Sequence, residues 1–147
     1  MIILNTITNN MLCESKDKYK VYFLDIFEIV DNHEMIFDNK IARKEYERYF
    51  INNSPKELSG KIQFIDCYNK HVHVNVFSNI NKVFQQELLE ESIEKLFDYF
   101  KINKIDSIGI SFYAKNKKIS KKLCELIKYK SRSYDLNINL YKNNQKM

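Results

Sequence analysis

Residues 20–27, KVYFLDIF, constrain the fold more than any other part of the chain, because aromatic and β-branched side chains fall on both faces of the strand they form. A strand that is apolar on both faces is buried on both, which predicts a central position in a sheet covered above and below. The covering helices are legible too. Residues 40–51 (KIARKEYERYFI) carry Ile41, Tyr46, Tyr49 and Phe50 at helical spacing. Residues 85–100 (QQELLEESIEKLFDYF) carry the stripe Leu89, Ile93, Leu96 and Phe100, with Glu87, Glu90, Glu91 and Glu94 near the start, where the helix dipole favours carboxylates. Residues 117–130 predict a third, basic helix with Ile119, Leu123, Leu126 and Ile127 inward.

The remaining apolar runs are strands. MIILN opens the chain and a polar turn follows at Thr8-Asn9-Asn10. Asp31-Asn32-His33 breaks the second strand, and Asp31 or Asn32 can cap what comes next. Asn52-Asn53-Ser54-Pro55 ends the first helix, since proline lacks an amide hydrogen and restricts the residue before it. Residues 61–67 and 71–77 predict a hairpin across Tyr68-Asn69-Lys70, with Val72, Val74 and Val76 alternating with His71, His73 and Asn75. SIGISFY (107–113) reads as a buried strand and LNINLY (136–141) as an alternating one, with KNNQKM a polar tail. The order β-β-α-β-β-α-β-α-β predicts an α/β fold of three layers, α/β/α, around a mixed, mostly parallel six-stranded sheet. It is expected to be a single domain over residues 1–141, followed by the tail at 142–147. Ligands of such sheets sit beyond the carboxyl ends of the strands, which points to Tyr113-Ala114-Lys115-Asn116-Lys117-Lys118.

Composition removes several classes of function. With two glycines and one proline in 147 residues, no glycine-rich phosphate loop exists, and Gly60 and Gly109 stand alone. P-loop ATP hydrolysis and Rossmann-type nicotinamide chemistry are excluded on that ground. Three widely spaced cysteines, Cys13, Cys67 and Cys124, give neither a disulfide scaffold nor a zinc ribbon and suit a reducing compartment. No apolar run reaches the roughly 20 residues of a membrane span. MIILNTITNN lacks the features of a secretory signal. A cytoplasmic protein with no membrane contact and no cofactor is expected.

Charge is divided unevenly. Residues 1–100 hold 12 basic and 16 acidic side chains, whereas residues 101–147 hold 12 basic and 3 acidic, so the overall +5 conceals halves of −4 and +9. Lys115, Lys117, Lys118, Lys121 and Lys122 crowd one loop and the helix start after it, where like charges repel and the dipole is unfavourable unless an anion is bound or the side chains splay into water. Phe112 and Tyr113 lie beside them and can stack a base. A phosphate, nucleic-acid or acidic-protein contact is one reading of the cluster; a solvated face in a lysine-rich composition is the other.

Other constellations are expected to be structural. His71 and His73 share one strand face, and a two-residue turn at Asn69-Lys70 sets Asp66 opposite His73 as an ion pair. With His33 the only other histidine, a metal site lacks ligands. Cys67, on the Ile65 face, and Cys124, beside Leu123, read as packing residues rather than nucleophiles. The acidic row Glu87, Glu90, Glu91, Glu94 and Asp98 reads as a solvated helix face, or as a patch for a basic partner or for the basic end of a second copy, so the chain is expected as monomer or homodimer.

Four stretches resemble the macro domain, the α/β fold that binds ADP-ribose and in some members hydrolyses it, in its short phage and bacterial form. EYERYFINNSPKELSGKIQFID is similar to the helix that passes through a Pro-Glu-Leu-x-Gly turn into a strand. HVHVNVFSN is similar to the strand ending Val-Asn-Leu-Phe-Gly-Gln, and SIGISFY to Ser-Ile-Ala-Ile-Pro. LNINLY is similar to the closing strand. Together they span most of residues 45–141. The resemblance places Asp25 near the position of a family asparagine, aligns Asn75 with the asparagine of Val-Asn-Leu-Phe, and sets SFYAKNKKISKK where the family has a glycine-rich loop around the diphosphate. A degenerate macro fold that has lost ADP-ribose hydrolysis is implied.

The function expected is therefore a non-catalytic binding module. Its site residues are Asp25, Asn75, Phe112, Tyr113, Lys115, Asn116, Lys117, Lys118, Lys121 and Lys122, and its partner is a nucleotide-derived ligand, a nucleic-acid backbone or an acidic protein surface. A second reading is a phage or mobile-element protein that inhibits a host protein or nucleoprotein complex, such as a nucleic-acid-guided defence complex, by occlusion in the host cytoplasm. A third is a residual ADP-ribose or nucleotide hydrolase.

Overall fold

The structure, a computed structural model, describes residues 4–7, 12–25, 40–68, 71–78, 86–112 and 117–142. Six strands form one sheet: β1 (Leu4–Ile7), β2 (Tyr19–Asp25), β3 (Ile62–Asp66), β4 (Val72–Ser78), β5 (Ser107–Phe112) and β6 (Asn137–Lys142). Their order is β1-β6-β5-β2-β4-β3, and every neighbouring pair is parallel except β3 with β4. The predicted mixed, mostly parallel sheet is therefore present, with β2 interior as its two apolar faces require. Thr8-Asn9-Asn10, Asp31-Asn32-His33 and the residues after Lys142 lie outside the described part.

Helices α3 (Gln86–Ile102) and α4 (Lys117–Tyr134) cover one face. They bury Leu89, Ile93, Leu96, Phe100, Leu123, Leu126 and Ile127 against Val21, Phe23, Val74, Val76, Ile108, Ile110, Ile138 and Leu140. The odd-numbered residues of β2 and the even-numbered ones of β4, β5 and β6 supply this face, as the twofold period of a strand dictates. Helix α1 (Lys40–Asn52) and a 3-10 turn at Leu12–Glu14 lie over the other face, where Leu12, Ala42, Tyr46 and Leu58 pack with Tyr22, Leu24, Phe77 and Tyr141. Lys130 of α4 is ion-paired with Glu94 of α3, and Asp98 accepts a hydrogen bond from Tyr134, which raises that phenol's pKa.

The helix ends follow local chemistry. Pro55 does more than end α1, because it opens a further short helix, α2 (Pro55–Leu58). Ser54 and Glu57 cap it reciprocally: the Glu57 amide donates to Ser54 Oγ at 3.3 Å, and the Ser54 amide donates to Glu57 Oε1 at 3.0 Å. Those bonds hold the Glu57 carboxyl below its usual range. Gly60, at φ +83°, then turns the chain into β3 with its amide on the Phe77 carbonyl. Helix α3 ends in a Schellman turn, with Ile105 N donating to Phe100 O and Lys104 N to Lys101 O, and Lys104 held at φ 57°.

Candidate functional site

All five parallel strands end at one edge of the sheet, at Ile7, Asp25, Ser78, Phe112 and Lys142. Ser78 Oγ ties that edge together by donating to the Leu24 carbonyl at 3.1 Å. Helix α4 starts five residues beyond Phe112, so its N-terminus belongs to the same edge, and Lys117, Lys118, Lys121 and Lys122 are all exposed in its first two turns. Asp25 and Phe112 are the last residues of adjacent strands, since β2 and β5 pair in register through Phe23 and Phe112. The backbone thus gathers Asp25, Phe112 and the helical lysines to one edge. The side chains of Asp25 and Phe112, and the whole of Tyr113, Lys115 and Asn116, lie outside the described residues.

Asn75 is placed differently. It is fully buried in β4 beneath α1, with its amide already engaged. Its Oδ1 stands 2.8 Å from His73 Nε2, and its Nδ2 donates to Gln63 Oε1 at 3.0 Å. Gln63 in turn donates to the Glu45 carbonyl of α1 at 3.1 Å. Because Asn75 Oδ1 is an acceptor, His73 carries its proton on Nε2, and the whole string runs donor to acceptor from sheet to helix. The His73 ring stacks on Tyr22 with centroids 4.4 Å apart. Burial, with smaller contributions from nearby His71 and Lys20, drives the His73 pKa down to about 3. Gln63, held by Asn75, bonds α1 to the sheet.

The expected ion pair between Asp66 and His73 is not formed. Asp66 is in register with Val72, and His73 with Ile65, so the two side chains project from opposite faces. The connection is longer than a two-residue turn: Cys67 N donates to the His71 carbonyl, and Asp66 Oδ1 accepts from the Tyr68 amide. One residue of register moves a side chain to the other face. His71 and His73 do share a face, with ring centroids 6.2 Å apart. Among the described residues no three His, Cys, Asp or Glu side chains are grouped to hold a metal ion. Cys13 and Cys67 are buried and Cys124 is half-buried against the core.

A polar cluster that the sequence reading missed sits on the α1 face. Asp17 accepts from Asn139 Nδ2 at 2.9 Å and from the Tyr141 hydroxyl at 2.6 Å, and Asn5 Nδ2 donates to Asn139 Oδ1 at 3.1 Å. Burial and the Asp17 bond raise the Tyr141 pKa. Lys20, buried within β2, donates to the Cys13 carbonyl at 3.0 Å. These bonds strap residues 12–18 across the sheet above Gly109. A Cβ on Gly109 would lie 2.5 Å from Leu12 Cδ1 and 2.8 Å from Asp17 Oδ2. The glycine is therefore explained by close packing and not by a phosphate loop. An isolated glycine inside a strand pattern was the available signal.

The macrodomain of Mycobacterium tuberculosis DarG superposes with TM-score 0.66 at 9% identity, over 96% of this chain and 98% of that one. The fold is that of a macro domain. Thermosipho africanus DarTG, solved in complex with ADP-ribose, matches with TM-score 0.65 at 9% identity over 97% of this chain, which spans 43% of that longer protein. A tomato leucine aminopeptidase matches with TM-score 0.59 at 6% identity over 100% of this chain and 33% of its own length. No family profile and no curated protein sequence matches the chain. The macro fold therefore serves proteins of different kinds, and the ligand must be argued from the edge itself. No helix among the described residues is long and apolar enough to cross a membrane.

Proposed function

We propose that this chain is a non-catalytic macro-like module that binds an anionic, nucleotide-derived ligand of the ADP-ribose class at the carboxyl edge of its sheet. The observation that carries this reading is the position of the α4 N-terminus, with Lys117 and Lys118 exposed, beyond Phe112 on a macro fold. A solved neighbour of the same fold holds ADP-ribose. Two features make such an edge suited to a diphosphate. The first amides of α4 have no partner within the helix and carry partial positive charge. The adjacent lysines add full charges that reach farther but lack the fixed geometry of a backbone cradle.

Residues 113–116 (YAKN) contain no glycine, so the close backbone approach that wraps a diphosphate is replaced by side-chain contacts. Lys115, Lys117 and Lys118 would face the phosphates, Phe112 or Tyr113 the base, and Asp25 and Asn116 the sugars. Lys121 and Lys122 lie one turn farther along α4. Asn75 has no part in this proposal because its amide is committed to His73 and Gln63. Binding through flexible cations is screened by salt and does not orient a scissile bond, which is why hydrolysis is not expected.

Titration calorimetry and thermal shift with ADP-ribose, ADP and AMP provide the test. At a ligand concentration a hundredfold above Kd, stabilisation of about 2.7 kcal/mol is expected. Lys117→Ala with Lys118→Ala should weaken binding by about tenfold at low salt, and no ADP-ribose should be released from modified substrates. Absence of heat and of any thermal shift at millimolar ADP-ribose overturns the reading.

A further inference from the structure

Helix α4 carries seven cations and a single carboxylate, Glu125. Lys130 is ion-paired with α3, through Glu94. Lys117, Lys121, Lys128 and Arg132 are exposed and make no ion pair among the described residues. At 100° per residue these four fall within about 60° of helical arc, and at 1.5 Å per residue they span about 22 Å. They form a ridge that starts at the candidate edge and runs the length of the helix, with the exposed Glu125 at its margin between Lys121 and Lys128. Tyr129, 66% exposed, stands beside the ridge.

From this ridge we infer that the outer face of α4 is a track for the sugar–phosphate backbone of a nucleic acid, bound without regard to sequence. A linear row of cations with little exposed apolar surface suits a polyanion. It lacks the desolvated aromatic and aliphatic anchors at the centre of a protein interface. Along about 22 Å a duplex presents roughly six phosphates per strand, enough for each of the four cations to meet one. Tyr129 offers a ring on which an unpaired base can stack. Five of the six exposed cations of α4 are lysines, which supply charge without bidentate base reading, so sequence selectivity is not expected. Glu87, Glu91 and Asp98 lie exposed on α3, the helix packed against α4, and repel the same backbone. The contact is thereby confined to the outer ridge.

This inference extends past the nucleotide site, because Lys128 and Arg132 lie about 16–22 Å along the helix from Lys117. Fluorescence anisotropy of labelled 20-nucleotide single-stranded DNA, duplex DNA and RNA, measured across salt concentrations, tests it. Lys128→Ala with Arg132→Ala should reduce the steepness of log Kobs against log salt by about 2 for a duplex, while ADP-ribose binding by the same variant stays unchanged. Lys40→Ala with Lys61→Ala, away from α4, should leave the slope intact. Circular dichroism of the exposed-site variants checks that each is folded, and the single reversal Lys128→Glu gives a second reading of the slope. No binding to any oligonucleotide at low salt, or a slope indifferent to the α4 variants, overturns the track. So does competition by polyglutamate as strong as that by nucleic acid, which would reassign the ridge to an acidic protein.

Discussion

Lowering the pH should destabilise this fold through one buried imidazole. His73 is buried under α1, stacked on Tyr22, with Nε2 committed to Asn75. Its pKa falls from 6.5 to about 3 on folding, chiefly because burial disfavours the imidazolium. Between those values the unfolded chain binds a proton that the folded chain excludes. The stabilising contribution is thus complete above about pH 6.5 and is lost progressively as the pH falls toward 3. At pH 5 the loss is about 1.5 pH units' worth, or about 2 kcal/mol. The chain has no tryptophan, so urea unfolding is best followed by circular dichroism at pH 7.5 and 5.0. His73→Gln offers an amide donor toward Asn75 and removes the titration. The wild type should lose about 2 kcal/mol more than this variant between the two pH values. Equal losses in the two proteins would falsify the assignment of a neutral, excluded imidazole.

Three substitutions probe the backbone. Gly109→Ala places a methyl against Leu12 and the doubly bonded Asp17 carboxylate; it should cost about 1–3 kcal/mol in urea titration, with a neutral result indicating that the 12–18 strap moves freely. Ser54→Ala removes the cap of α2 and should cost about 1 kcal/mol, read as a lower urea midpoint with an unchanged m-value. Lys104→Gly should have the opposite sign, raising stability by roughly 0.5–1 kcal/mol, because Lys104 sits at φ 57° in the Schellman turn.

Element order and layer assignment were legible because they depend on periodicity. Residues 21–24 (VYFL) alternate apolar groups to both faces of β2, and the Leu89–Ile93–Leu96–Phe100 stripe fixes the buried side of α3. What escaped depends on single residues. The hairpin register turned on loop length, and the five-residue connection between Asp66 and Val72 put His73 against Ile65. Helix α2 was announced by Ser54-Pro55-Lys56-Glu57, a capping signature read instead as a stop. Lys20 inside an otherwise apolar run was the sign that a carbonyl, that of Cys13, waits above β2. The strap at residues 12–18 has no period to detect, since its hold on the sheet comes from Asp17 meeting side chains more than 120 positions away. The candidate edge is legible only as a convergence of strand ends and lysines.

Strand β1 lies at the margin of the sheet, beside β6. Leu4–Ile7 finds its backbone partners in residues 138–141, and Asn5 bonds to Asn139 across that seam. During synthesis β1 must therefore wait, unpaired, until residues 138–141 have left the ribosome. A nascent chain arrested before β6 has no rail on which to lay β1, so the pairing of β1 is gated by the arrival of β6.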